Sequence, residues 1–254
     1  MSPAERLQYL RSKPGPERQV ILRGPAEGCP IQPWPFGMPS SASPYVVLLG
    51  VSPGNRPKAE DREFKTDGQA CGELPTFGSP HSGFYYDDPG RYWQKARDLA
   101  QFLVRRDEPR LSEKDAVALS SHLNLGTGQY GQAGAHAIED DILVWVSHLL
   151  HSRFDAKLLV CFGLRGIFAM NRYSTLWNSG DGLPVDWTRP LAVRRFDGRY
   201  AFRLWTTQRA DEKRMAVLMW PNHPSRHPFS GGPDSKNWQS AKREADRLLQ
   251  EHGF

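Results

Sequence analysis

The sequence predicts an α/β fold: a three-layer sandwich with a central, mainly parallel, roughly four-stranded sheet and helices on both faces. Three observations predict it. Tyr45–Gly50 (YVVLLG) and Lys157–Gly163 (KLLVCFG) are short continuous apolar runs, the pattern of strands buried on both faces. Segments with apolar residues at helical spacing alternate with such runs. Glycine and proline, 23 and 21 of them, are gathered into turn-rich stretches that separate the elements.

Residues 1–44 read as a charged N-terminal arm followed by a wrapping loop, GPAEGCPIQPWPFGMPSSASP. Residues 45–254 read as a single domain, long enough for a sizeable core. Tyr45–Gly50 is its first strand, and 52–90 a long loop of turn formers. Tyr92, Trp93, Ala96, Leu99, Ala100 and Leu103 predict a helix over 91–106. SSHLNL (120–125) is a weaker strand, followed by the glycine-rich GTGQYGQAG. Ile138–His151 is an amphipathic helix, Lys157–Gly163 a strand and 164–173 a short helix. Residues 178–200 form a basic, turn-rich insertion with Arg189, Arg194, Arg195 and Arg199. Arg199–Thr206 and Met215–Trp220 read as strands. The proline-rich PNHPSRHPFSGGP leads to a last helix near Ser235, with Trp238, Ala241, Ala245, Leu248 and Leu249 on one face.

Composition narrows the setting. The net charge of +5 permits a polyanionic partner without requiring one. Cys29, Cys71 and Cys161 are scattered, which argues against a disulfide framework or a CxxC metal site. His148 with His151, and His223 with His227, lack a third ligand nearby, so neither a metal nor a cofactor is expected. The N-terminus has no apolar signal core, and no apolar run approaches a membrane span. The expectation is a cytoplasmic, nucleoid-associated monomer.

In a parallel sheet, ligands collect at the carboxyl ends of the strands. GVSPGN, NLGTGQYG and PNHPSRHPF follow expected strands and would meet at that edge. In order and spacing these segments resemble the uracil-DNA glycosylase superfamily. The matches are Gly50-Val51-Ser52-Pro53-Gly54, then Asn124 in HLNLG, then His223-Pro224-Ser225. The first is most similar to the mismatch-specific and single-strand-selective branches, as is YYDDPGRYWQKARDLAQFL. The resemblance covers roughly residues 45–250 and implies DNA as partner and excision of uracil or a modified pyrimidine. It implies that His223 stabilises the departing base, Asn124 reads it and Tyr86 stacks on it. Ser52 and Pro53 would help position water, with Gly50, Val51, Gly54 and Ser225 against the base. No iron–sulfur cluster is expected, because the clustered cysteines of that branch are absent.

The chemistry needs these residue types. Breaking an N-glycosidic bond leaves negative charge on the base, which a fixed hydrogen-bond donor stabilises. An extruded base needs an aromatic floor and an amide edge. Arg165, Arg226 and His227 are candidate phosphate contacts. Phe229 is either a wedge into the base stack or a cover for the core.

The sequence departs from the family pattern at Ser52, where many members carry Asp or Asn. A hydroxyl is not a carboxylate base at neutral pH. Slow catalysis, a carboxylate from Glu60, Asp61, Glu63 or Asp67, or a binding module that no longer cuts are all open. The long loop at 55–88 and the basic insertion either enlarge the pocket or decorate the fold. GTGQYG matches G-x-G-x-x-G, but its preceding strand is polar and no acidic residue ends a following strand, so a Rossmann-like nucleotide site is the weaker alternative.

Overall fold

The computed structural model describes residues 44–50, 91–113, 116, 119–124, 146–147, 150–151, 155–163 and 185–254. Its elements are β1 (Val46–Gly50), α1 (Arg91–Asp107), β2 (Ser120–Asn124), β3 (Leu158–Phe162), β4 (Ala192–Phe196), β5 (Tyr200–Gln208), β6 (Arg214–Trp220) and α2 (Lys236–Glu251).

The strands form one six-stranded sheet in the order β2-β1-β3-β6-β5-β4. The pairs β1–β2, β1–β3 and β3–β6 are parallel, and β5 pairs antiparallel with both β6 and β4. The α/β class is therefore as expected, but the sheet is larger than roughly four strands and is mixed. Five of the six match runs read as strands; the sixth, β4, lies inside the segment read as a turn-rich insertion. Its signal is FDGRY: Asp197 and Gly198 both take positive φ, 49° and 61°, and close a hairpin onto β5.

Side-chain alternation divides the sheet into two faces. Val46, Leu48, Leu158, Val160, Phe162, Ala216, Leu218, Trp220, Phe202 and Leu204 share one core with the apolar stripes of α1 and α2. The opposite residues of the parallel strands, including Val47, Leu49, Leu159, Cys161, Val217 and Met219, are buried as well. The apolar runs in the sequence are continuous because both faces are covered. An aromatic cluster closes the core at one end. Trp220 packs edge-on against Phe202 at 5.1 Å and beside Trp238 of α2, also at 5.1 Å.

A carboxylate of α1 ties the two helices at two points, beside an ion pair between Arg106 of α1 and Asp246 of α2 at 3.8 Å. Asp98 of α1 accepts hydrogen bonds from Trp238 Nε1 at 2.6 Å and from Lys242 Nζ at 2.8 Å, both on α2. Lys242 is buried, so its charge depends on this partner. Among the described residues, no helix is long and apolar enough to cross a membrane.

Residues 1–43 and 51–90, the glycine-rich loop after β2 and the helix expected at 164–173 lie outside the described residues. Of the helix expected over Ile138–His151, residues 146–147 and 150–151 are described and helical.

Asp98→Ala is expected to lower the unfolding free energy by roughly 2 kcal/mol, because it strands a buried ammonium and an indole N–H. Asp98→Asn keeps an acceptor for Trp238 and is expected to lose less. Urea denaturation of both variants checks the order.

Candidate functional site

The parallel strands put several chain exits on one edge. Gly50 ends β1 directly opposite Asn124, the last residue of β2. Phe162 ends β3 opposite Trp220, the last residue of β6. The segments that follow Gly50, Asn124 and Trp220 therefore leave the sheet on the same side.

The segment after β6 is held in shape from three directions. Within it, Asn222 Oδ1 accepts from the His223 N–H at 2.8 Å, and Asn222 Nδ2 donates to the His227 carbonyl at 2.8 Å. The Arg226 N–H donates to the His223 carbonyl at 3.0 Å, making a tight turn. From α1, Lys95 Nζ donates to the Pro224 carbonyl at 2.5 Å and to the Phe229 carbonyl. From α2, Asn237 Nδ2 donates to the Pro228 carbonyl at 3.1 Å. The His227–Pro228 peptide bond is cis.

Lys95 is fully buried. An ammonium in such a place needs several acceptors or a ring face. It finds the two loop carbonyls, and the Trp238 ring lies 5.4 Å away. The loop is thus shaped around a charge that α1 carries beneath it.

This scaffold presents His223 in a defined state. The Ser225 N–H donates to His223 Nδ1 at 3.3 Å, and Ser225 Oγ lies 2.7 Å from the same nitrogen. A nitrogen that accepts an N–H carries no proton itself, so the neutral ring holds its proton on Nε2. Burial, then the charges of Arg226 and Lys95, lower the His223 pKa to about 4. At neutral pH the ring is an uncharged Nε2–H donor.

Tyr92, in the first turn of α1, stacks on His223 with centroids 5.0 Å apart and planes 11° from parallel. Its hydroxyl shares a hydrogen bond with Nε2 of His122 on β2. Tyr92 also meets Phe162 edge-on at 6.0 Å, bridging from β2 to β3 and the loop after β6. Burial, with a smaller contribution from His223, lowers the His122 pKa to about 3. The site therefore contains two neutral histidines separated by one tyrosine.

Of the residues expected from sequence, Gly50, Asn124 and His223 belong to this edge: the first two as register partners, the third on the following loop. Ser225, Arg226 and His227 are exposed on the same loop. Phe229 requires correction. It is fully buried and packs on Phe196 at 5.7 Å, Trp238 at 5.7 Å and Trp220 at 6.0 Å. A side chain enclosed by three core rings is not an exposed wedge, so Phe229 leaves the DNA-contact set. Val51, Ser52, Pro53, Gly54, Tyr86 and Arg165 lie outside the described residues, as does GTGQYG.

Sequence reasoning misses the supporting residues. Periodicity places Tyr92 on a helical core stripe and singles out neither His122 nor Lys95. A signal exists for Lys95, which falls on the same stripe as Tyr92 and Leu99. A lone charge on an apolar stripe marks a buried partner. Among the described residues, no group of three His, Cys, Asp or Glu side chains is placed to hold a metal ion. No protein-family model, curated protein or solved structure matches the chain.

Tyr92→Leu is expected to open the His223 ring to water and raise its pKa from about 4 toward the ordinary 6.5. Tyr92→Phe keeps the stack and is expected to move it little. Ring NMR titrations read both.

The buried His122 also makes stability pH-dependent. Its folded pKa of about 3 lies below the unfolded 6.5. Between these values the unfolded chain binds a proton that the folded one refuses, so stability falls as pH drops. The slope reaches about 1.4 kcal/mol per pH unit. His122→Leu is expected to flatten this acid limb in urea melts at successive pH values.

Proposed function

We propose that this protein is a monofunctional DNA glycosylase. It hydrolyses the N-glycosidic bond of an extruded uracil or modified pyrimidine and leaves an abasic site. The observation that carries the reading is His223: a neutral imidazole, its proton on Nε2, on a braced loop at the edge where β1 and β2 also end. A preorganised donor of this kind stabilises negative charge on a departing base without reorganising as the bond breaks. The resemblance of the Gly50, Asn124 and His223 segments to the uracil-DNA glycosylase superfamily points the same way.

In this mechanism the C1′–N bond breaks with its electron pair leaving on the base. His223 Nε2–H donates to the base oxygen that gathers the charge. Water adds to C1′ and yields a proton to solvent or the base. Asn124 reads the pyrimidine edge, Tyr86 supplies the stacking floor, and Ser52 and Pro53 position the water. Neutral His223 suits a leaving group that departs as an anion, since donation needs no proton transfer. The two covered faces of the parallel strands fit a three-layer sandwich. The setting that matches is a monomer acting on nucleoid DNA in the cytoplasm.

Ser52 favours a second reading, a DNA- or modified-base-binding module of the same fold, because it offers no carboxylate to activate water.

The test is product analysis with single- and double-stranded oligonucleotides carrying uracil, mismatched thymine, hydroxymethylated cytosine or glucosylated cytosine. Free base and alkali-labile breaks at one modified position are expected. His223→Ala should slow single-turnover excision by a factor of about 10²–10³, the cost of one oxyanion donor. Asn124→Ala should weaken discrimination between bases. DNA binding with no abasic product on any substrate would favour the binding module; excision unchanged in both variants would reject the site assignment.

A further inference from the structure

The antiparallel wing formed by β4 and β5 has no part in the site chemistry, yet its open face carries an organised set of arginines. Alternation sends Ala192, Arg194 and Phe196 of β4 toward the helices. There Arg194 pairs with Glu244 at 3.6 Å and with Glu251 of α2. Val193 and Arg195 therefore lie on the opposite face, together with Ala201 and Arg203 of β5.

On that face Val193 pairs directly with Arg203, and Arg195 with Ala201. Arg195 and Arg203 are thus diagonal neighbours, about 7–8 Å apart across the ladder. Arg199 stands at the tip of the hairpin. Arg195 and Arg199 are exposed, and Arg203 is half-buried. None of the three forms an ion pair among the described residues, in contrast to Arg194 and to Arg189, which lies 4.0 Å from Asp186. Asp197, in the hairpin turn, offsets only part of their charge.

The wing joins the candidate site at its edge. Arg203 pairs with Met219, one residue before the end of β6, so the N-terminal end of β5 extends past the row where β6 stops. Tyr200 lies 6.3 Å from His227, and Phe196 packs on Phe229. Both contacts are on the helix face, so the His223 loop packs behind the wing, and the arginine face reaches the site edge at the hairpin tip, where Arg199 stands. Arg199 to Arg203 covers about 13 Å at strand rise. One duplex strand presents a phosphate about every 3.4 Å of helix axis, so the row can meet several.

The geometry points to the β4–β5 wing as a phosphate-binding track, with Arg195, Arg199 and Arg203 holding the DNA backbone that flanks the base presented to His223. The choice of DNA as the polyanion rests on the glycosylase reading. Arginines without ion-pair partners among the described residues, two of them diagonal on one face and the third at the hairpin tip by the site edge, suit a line of negative charge.

The test measures affinity of the full chain for a fluorescent duplex and a fluorescent single strand, neither carrying a modified base, across a salt series. Each arginine that neutralises a phosphate contributes about 0.9 to the slope of log K against log salt on duplex, or about 0.7 on single strand. The triple variant Arg195→Gln, Arg199→Gln, Arg203→Gln should lose about two to three such units and bind at least tenfold more weakly at low salt. The corresponding triple lysine variant should keep most of the slope, and matching thermal midpoints would show that both remain folded. An unchanged slope in the glutamine variant overturns the track and leaves the exposed Val193 and Leu191 to a protein partner. No DNA binding by the parent chain overturns it too. Because the probes need no excision, grip and catalysis are read separately: His223→Ala is expected to slow excision of a modified base while retaining the full slope.

Discussion

The shape of the candidate site depends on a buried positive charge. Lys95 lies beneath the loop that follows β6, and an ammonium there is tolerated only if the surrounding acceptors turn toward it. The carbonyls of Pro224 and Phe229 do so, which fixes the loop at both ends of the turn bearing Ser225 and Arg226. His223 sits just before the first of these anchors. Its position follows from α1, although α1 precedes it by some 130 residues.

The same helix sets the electrostatics. Tyr92, in its first turn, covers His223 on one side and binds His122 on the other. A proton on His223 disfavours one on His122, and Lys95 and Arg226 disfavour one on His223. A positively charged imidazole would be a stronger donor, but here it would stand among other cations with little water. The arrangement instead keeps a neutral donor with a fixed tautomer, which exchanges strength in one bond for certainty about where the proton is. The cost is acid sensitivity, carried chiefly by the fully enclosed His122.

Much of this framework is legible in the sequence. Apolar runs locate β1, β3 and β6 because strands buried on both faces have no polar alternation to obscure them. Helical spacing locates α1 and α2 to within a residue or two. β4 is hidden because AVRRF serves two faces at once: Arg194 turns to α2 while Arg195 meets solvent, so two adjacent arginines read as a surface loop. The Asp-Gly of the hairpin is the clue that outweighs them. At the site, His223 is readable because it follows a strand end. Tyr92, His122 and Lys95 are not, since periodicity assigns a residue to a face but not to a partner on another element. Phe229 shows the same limit from the other side. Its burial is decided by Phe196, Trp220 and Trp238, which come from three separate elements.

The two halves of the sheet meet different physical demands. The parallel half is enclosed on both faces, which gives the rigid edge and low water content that a fixed, neutral donor requires. Such enclosure leaves little surface on which to hold a long charged polymer. The antiparallel half is open on one face over β4 and the start of β5, short of the buried Trp205, and its hairpin needs no crossover helix, so it can display cations to solvent while Phe196 and Phe202 anchor it from behind. Phe229 joins the halves: its ring packs on Phe196 of the wing, and its carbonyl binds Lys95 under the His223 loop. The wing and the segment bearing His223 are therefore joined through packed rings and one charged hydrogen bond. A polymer held along the wing and a base presented to His223, as proposed, would share this frame.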